Sequence, residues 1–328
     1  MPIVMPKPKA GGLLISYSCN AKCKHCYLSC FGKSEGRMRL EDAVNHLKSF
    51  KEEGIPKEEI HITGGEPFLN LNYLTDILST AKLAGYSGFG FVETNAFWAT
   101  EKKKCERVLE SIKKIGVEKL CISADIYHQE FVPISRVKTL VETCYNVLGP
   151  DSVMLRWSKG LELTKHIGQM ASEEIRDYVL SPTREFRTRV IGRGTTSLID
   201  ILPRKATENF KDSPCFEKMV GTGHYHFDLH NDLIPGIGCV ILGNSSNQTL
   251  RDTLNKVSEN NNPLFTILSK EGPAGELLNL AKSQGYKELD KGYCDKCHLC
   301  FDIKQHLIKT NFPTTEIGPR EAYFPKNP

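Results

Sequence analysis

An α/β fold built on a parallel sheet is what this chain predicts, on two observations. From about residue 12 to 195, short β-rich runs alternate with amphipathic stretches of helical period, the pattern of successive strand–helix units. Segments rich in Cys, Gly, Asn or Asp follow those runs directly, at the strand ends where such folds place their functional loops. The strands expected are Leu13 to Tyr17, Glu59 to Thr63, Gly88 to Thr94, Lys119 to Ala124, Val153 to Trp157 and Glu185 to Ile191. Helices are expected at Leu40 to Glu53, Leu71 to Ala84, Glu101 to Ile115 and Ser135 to Val147, with a shorter one at Ser172 to Leu180. Six strand–helix units fall short of a closed eight-fold barrel.

Composition narrows the class. A chain of 328 residues, 40% hydrophobic and 25% charged, can bury one large core or two smaller ones, so disorder is not expected. No run approaches the apolar length of a membrane span, and the first residues lack the apolar core of a signal peptide, so a cytoplasmic location is expected. Twelve cysteines in a reducing compartment are then metal ligands and buried thiols rather than disulfides. A net charge of +4 without a dense basic block gives no case for nucleic acid.

After the first strand run, Cys19, Cys23 and Cys26 stand in C-x3-C-x2-C spacing. Three thiolates on one short loop can hold three irons of a four-iron cluster and leave the fourth open for chemistry. The same thiols could instead form part of a zinc site closed by His25 or Cys30. After the second run comes Gly64-Gly65-Glu66-Pro67, in which two glycines permit close backbone approach and a carboxylate can meet an ammonium group.

With these two motifs in this order, the chain resembles the radical S-adenosylmethionine (SAM) superfamily. The resemblance continues through Thr94-Asn95-Ala96-Phe97-Trp98, Ser123-Ala124-Asp125 with His128 and Phe131-Val132-Pro133, then Arg156, and Gly192-Arg193-Gly194, covering about residues 10–200. It departs at His25, where the family usually has an aromatic residue, and at Ala96, where many members have Gly. The resemblance implies a partial (β/α)6 TIM-like barrel over 10–200. It implies that Cys19, Cys23 and Cys26 hold a [4Fe-4S] cluster whose open iron chelates SAM. Reductive cleavage of SAM would then give a 5′-deoxyadenosyl radical that takes a hydrogen atom from substrate, with a flavodoxin- or ferredoxin-type electron donor. Gly64, Gly65 and Glu66 would meet the SAM ammonium, and Arg156 its carboxylate.

Ser123 and Asp125 share strand parity and are expected to face the lumen and the ribose hydroxyls, while Glu93 and Asn95 share the parity of the third strand and are expected to contact SAM or substrate. Tyr127 and His128 follow the fourth strand as candidate catalytic residues that bind substrate or pass a proton or hydrogen atom. Each has a plainer reading: Asp125 caps its turn, Arg156 closes a salt bridge, Asn95 holds a turn, and His128 is a satisfied loop histidine.

The last third, 205–328, changes character and is expected to form a second small domain. It offers Cys215, Cys239, Cys294, Cys297 and Cys300, thiols from separated segments that suit a second metal site. The resemblance, here to the auxiliary-cluster extensions called Twitch or SPASM domains, selects Cys215, Cys239, Cys297 and Cys300 as ligands of a second [4Fe-4S] cluster, with Cys294 spare or exchangeable; zinc is the alternative. The hairpin His224 to His230 carries three histidines on one strand face, expected near those thiols, which serve a metal better. The leading expectation is a radical SAM enzyme modifying a peptide or protein by oxidation, cross-linking or epimerisation. The short stretch before Cys19 is too small for a separate leader-binding domain, which keeps a small-molecule substrate as the alternative. An iron–sulfur or zinc-binding protein without SAM chemistry is the third reading.

Overall fold

A computed structural model describes residues 3–181, 188–236 and 240–324. Its centre is one open eight-stranded sheet, with strands β1 (Ala10–Leu14), β2 (Ile60–Thr63), β3 (Phe91–Thr94), β4 (Leu120–Ser123), β5 (Val153–Arg156), β6 (His224–Asp228), β7 (Asp232–Pro235) and β8 (Gly243–Asn244). Their spatial order is β5-β4-β3-β2-β1-β6-β7-β8. The first six run parallel and the last two antiparallel.

Helices α1 (Leu40–Glu52), α2 (Leu71–Leu83), α3 (Lys102–Ile115), α4 (Ile126–Gln129) and α5 (Ile134–Val147) connect the first five strands, and α6 (Ser172–Leu180) and α7 (Gly194–Ser197) follow. Local chemistry sets their ends. Asn70 accepts from the Tyr73 amide at 3.0 Å to start α2, Asp125 accepts from the Tyr127 and His128 amides to start α4, and Gly116, at φ 102°, stops α3 in the left-handed conformation. The remaining helices are α8 (Phe216–Met219), α9 (Leu250–Asn255), α10 (Pro263–Lys270), α11 (Glu276–Ser283), α12 (Lys296–Lys309) and α13 (Arg320–Tyr323).

The two faces of the sheet carry different residues, because successive side chains alternate. Leu13, Ile60, Ile62, Val92, Leu120, Ile122, Tyr225 and Phe227 face the helices in the main apolar core. His61, Thr63, Glu93, Ser123, Arg156, His224 and His226 face an open lumen. At β1 the division is enforced by two glycines: a Cβ on Gly11 would lie 2.6 Å from the Phe50 ring of α1, and a Cβ on Gly12 would lie 2.4 Å from His226 and 2.6 Å from His61. Gly11→Ala would therefore overpack the helix layer, at about 1–3 kcal/mol.

The expected sixth strand is corrected by the structure. Of Glu185 to Ile191, residues 185–187 lie outside the described residues and 188–191 are not strand. The sixth parallel strand is β6, which pairs with β1 from Ala10↔His224 to Leu14↔Asp228. The sheet thus runs across the boundary expected near residue 200–205, and the C-terminal hairpin completes the lumen wall.

Candidate active site

The loop from Tyr17 to Cys30 leaves β1 at its C-terminal end and is held by backbone contacts that its own sequence does not reveal. Cys19 N donates to Gly32 O at 3.0 Å, closing the base. Arg193, almost fully buried, donates to Cys23 O at 2.9 Å, Ser29 O at 2.7 Å and Cys30 O at 2.9 Å, and its amide donates to Cys26 O at 3.0 Å. Gly192, at φ 55°, packs against the carbonyls of Cys26 and Tyr27, where a Cβ would come within 2.4 Å. The motif Gly192-Arg193-Gly194 is thus a clamp on the cysteine loop.

Cys19, Cys23 and Cys26 open into a cavity of ≈ 460 Å³, lined also by Gly64, Gly65, Glu66, Glu93, Asn95, Ser123, His128 and Arg156. Three soft donors beside a cavity that also presents carboxylate, amide and guanidinium groups fit a cluster with one open iron. Burial raises the Cys19 and Cys23 thiols, so a metal must displace their protons. Cys26 is lowered, first by a hydrogen bond from Cys30, against the cost of burial. Cys30 is therefore a neighbour of the loop's third cysteine.

The Gly-Gly-Glu segment has a clear structural cause. Gly65 N donates to Ser16 O at 2.8 Å and Glu66 N to Ser18 O at 2.9 Å, so the exits of β1 and β2 run together. A Cβ on Gly64 or Gly65 would meet those carbonyls at 2.5 or 2.0 Å. The buried Glu66 carboxylate accepts from Asn95 N at 2.7 Å, Thr94 Oγ1 at 2.9 Å and Phe68 N at 3.1 Å. Burial raises its pKa to about 7 despite those bonds. Asn95 both holds its turn, accepting from Phe97 N at 3.0 Å, and reaches the cysteine loop, donating to Asn20 Oδ1 at 3.0 Å. Ala96 adopts φ 64°, which explains why glycine suits that position.

The remaining expected residues divide. Glu93 accepts from Thr63 Oγ1 at 2.6 Å and pairs with Arg156, whose Nε also donates to the buried Cys121 Sγ at 3.3 Å; Thr63, Glu93 and Arg156 line the lumen. Ser123 lines the cavity. Asp125 does not: β4 ends at Ser123, and its Oδ1 accepts the Tyr127 and His128 amides while Oδ2 bonds His128 Nδ1 at 2.6 Å. Strand parity fails there because the strand has already ended. His128 does line the cavity, beside Cys23; burial alone would lower its pKa, but Asp125 and Cys23 raise it well above the usual histidine value. Tyr127 is fully buried behind that wall, its hydroxyl 3.1 Å from Thr188 Oγ1. His25 stacks on it at 4.2 Å and meets His128 and Trp157 edge-on, so this neutral imidazole packs as an aromatic ring would.

Sequence reasoning missed His61, which the period-two pattern of β2 also turns inward, and placed the hairpin histidines wrongly. His224 and His226 line the main cavity, and His230 at the turn pairs with Glu321 at 3.0 Å.

A second, smaller pocket brings together Cys215, Cys297 and Cys300 with Lys218, Lys296, Lys304 and Arg189. Lys296 at the start of α12 donates to Ser213 O and Pro214 O at 2.7 and 2.9 Å, tying the two thiol-bearing segments together. Burial pushes the Cys297 thiol up to about 12. Cys294 does not line this pocket; its amide donates to His298 Nδ1 and its side chain packs with the first cysteine loop's apolar neighbours. Cys239 lies outside the described residues. Arg189 and Ile191 line both cavities, so one short segment separates the two thiol sites.

Residues 13–147, from within β1 to the end of α5, match the Radical SAM superfamily. The chain thus carries a radical SAM domain over those residues, and that domain family implies SAM and a [4Fe-4S] cluster as cofactors. Over 305 residues it is 27% identical to the protein YydG of Bacillus subtilis (strain 168), whose name provisionally assigns it to peptide biosynthesis; the match covers 90% of this chain and 91% of that one. Among solved structures it is similar to BtrN in complex with AdoMet and 2-DOIA, at 12% identity and a TM-score of 0.45, covering 82% of this chain and 89% of that one. It is also similar to anSMEcpe with bound AdoMet and the Cp18Cys peptide, at 12% identity and a TM-score of 0.42, covering 93% and 98%.

Proposed function

We propose that this chain is a radical SAM enzyme that modifies a peptide or protein, with a second [4Fe-4S] cluster in its C-terminal part. The observation that carries the enzyme reading is that Cys19, Cys23, Cys26 and the Gly64-Gly65-Glu66 loop line one cavity with Asn95, Ser123 and Arg156. When bound, the cluster and SAM supply one-electron cleavage of a C–S bond and a hydrogen-abstracting radical. The chain's own residues bind, orient and exclude water. Cys19, Cys23 and Cys26 hold the cluster. Gly64, Gly65 and Glu66 take the SAM ammonium, Ser123 and Asn95 contact its polar groups, and the Arg156–Glu93 pair presents charge to its carboxylate or to substrate. His128 is the candidate for holding or moving a proton at the cavity wall.

The second cluster is assigned to Cys215, Cys239, Cys297 and Cys300. Three of these thiols meet in one pocket whose cationic side chains compensate a thiolate-bound cluster's negative charge. An electron carrier of the flavodoxin or ferredoxin type is the expected donor. No described helix is long and apolar enough to cross a membrane.

Peptide modification is supported by likeness to YydG along nearly the whole of both chains. The test is anaerobic. Cluster-loaded protein with a strong reductant should convert SAM to 5′-deoxyadenosine and methionine. With the peptide encoded by a neighbouring gene, mass spectrometry should show lost hydrogens or solvent deuterium uptake. SAM cleavage without any peptide change would leave the enzyme reading and overturn the peptide one; no cleavage would sink both.

A further inference from the structure

His61 on β2 and His224 and His226 on β6 converge on the lumen across β1. The register sets Gly12 between His61 on one side and His226 on the other. Because Gly12 has no side chain, the two imidazoles meet over it, with Nε2 atoms 3.2 Å apart. One ring nitrogen from each of the three histidines lies within 4.8 Å of the other two. A tetrahedral ion with zinc–nitrogen bonds of about 2.0–2.1 Å has nitrogen–nitrogen edges of about 3.3–3.4 Å, so the observed pair is already at ligand spacing. We propose that His61, His224 and His226 bind one divalent transition-metal ion of the zinc class, leaving a fourth coordination position open to the cavity.

Several independent features point the same way. The buried Nε2 of His224 has no hydrogen-bond partner among the described residues, so one donor atom at the site is unsatisfied. The backbone of Gly11 lies beside the His61 ring and that of Gly236 beside the His226 ring, where metal-bound imidazoles characteristically find outer support. Phe91 stacks on His61 at 4.7 Å and fixes its plane. Burial lowers the pKa of all three histidines, which keeps them neutral as ligands must be. The charged groups facing them are Glu93, which favours a cation, and Arg156, which opposes one; these two are paired with each other. Three protein ligands with an open position is the pattern of catalytic rather than structural zinc sites. The fourth ligand is a water or an oxygen of the cavity's occupant. The thiol pocket no longer competes for the role, since neither His224 nor His226 lines it.

The test uses the full chain carrying its clusters, dialysed against zinc buffered with a weak chelator. Bound zinc is counted, and zinc-edge X-ray absorption reads its ligands. One zinc per chain is expected, with a shell of nitrogen and oxygen only, and its affinity should fall at least about ten-fold in His224→Gln and in His61→Gln. A sulfur shell at about 2.3 Å would place the zinc on cysteines and overturn the proposal. Zinc affinity of the unaltered protein equal to that of the His224→Gln and His61→Gln variants would overturn it too. The absorption measurement needs no variant, so a misfolded substitution cannot mask the answer. Because the readout is zinc rather than SAM cleavage, failure here is distinct from failure of the proposed function.

Discussion

Cys19, Cys23 and Cys26 share one loop, whereas Cys215 and the pair Cys297 and Cys300 come from segments far apart in the chain, joined by Lys296 reaching from α12 to the carbonyls of Ser213 and Pro214. The first site has its thiols preassembled by sequence and borrows rigidity from a distant arginine. The second has rigid helices and borrows proximity from folding. The difference teaches where each is vulnerable: chemistry at the first should be lost with little change in the fold, while metal and fold should be lost together at the second.

The largest effect expected is from replacing Cys19, Cys23 and Cys26 together by Ala. SAM cleavage should vanish, and iron should fall by about half, from about eight to about four atoms per chain. Unchanged iron content after that replacement would show that those three thiols hold no iron. Next, Cys297→Ala should remove the second cluster and lower the unfolding midpoint, while Cys294→Ala, which lies off the pocket, should leave both nearly unchanged. Equal losses in the two variants would show that the wrong thiols were assigned.

Arg193→Ala loosens the first loop without touching its thiols. It removes a buried guanidinium from three carbonyls of the first loop and should destabilise by about 3–5 kcal/mol, read by denaturant unfolding. Iron at the second site should persist under mild conditions. Glu66→Ala should raise the SAM concentration needed for half-saturation by roughly ten- to a hundred-fold, the weight of one charge-assisted contact. Binding isotherms that overlay the unaltered protein's would remove Glu66 from the SAM site.

The smallest effect concerns Asp228, which joins β6 to the first loop by accepting the Tyr17 hydroxyl at 2.8 Å. Burial raises its carboxyl to about 6 from an ordinary 3.8. The folded state therefore holds this proton more tightly than the unfolded chain does. Its contribution to stability is full below about pH 4 and is lost as pH rises through 6, by about 3 kcal/mol in all. Asp228→Asn should flatten that slope in unfolding curves taken from pH 4 to 7; a slope unaffected by the substitution would assign the effect to another group.

The sequence by itself determined the local part of this protein. Helix periodicity located α1, α2, α3, α5 and α6 to within a residue or two, because amphipathic spacing and caps such as Asn70 and Gly116 act over a few positions. The three-thiol loop and Gly64-Gly65-Glu66 were legible for the same reason, and strand parity correctly turned Glu93 and Ser123 inward. Where parity was carried past a strand end it failed, and Asp125 proved to be a cap. Only the tertiary structure decided which strand lies beside β1, since parallel pairing between residues hundreds of positions apart leaves no periodic trace in either segment. That one pairing brings His224 and His226 to His61 across Gly12 and anchors Asp228 beneath the cysteine loop. The Arg193 clamp depends equally on folding, because backbone carbonyls carry no sequence signature, and a carbonyl's need for a donor appears only once the fold has buried it.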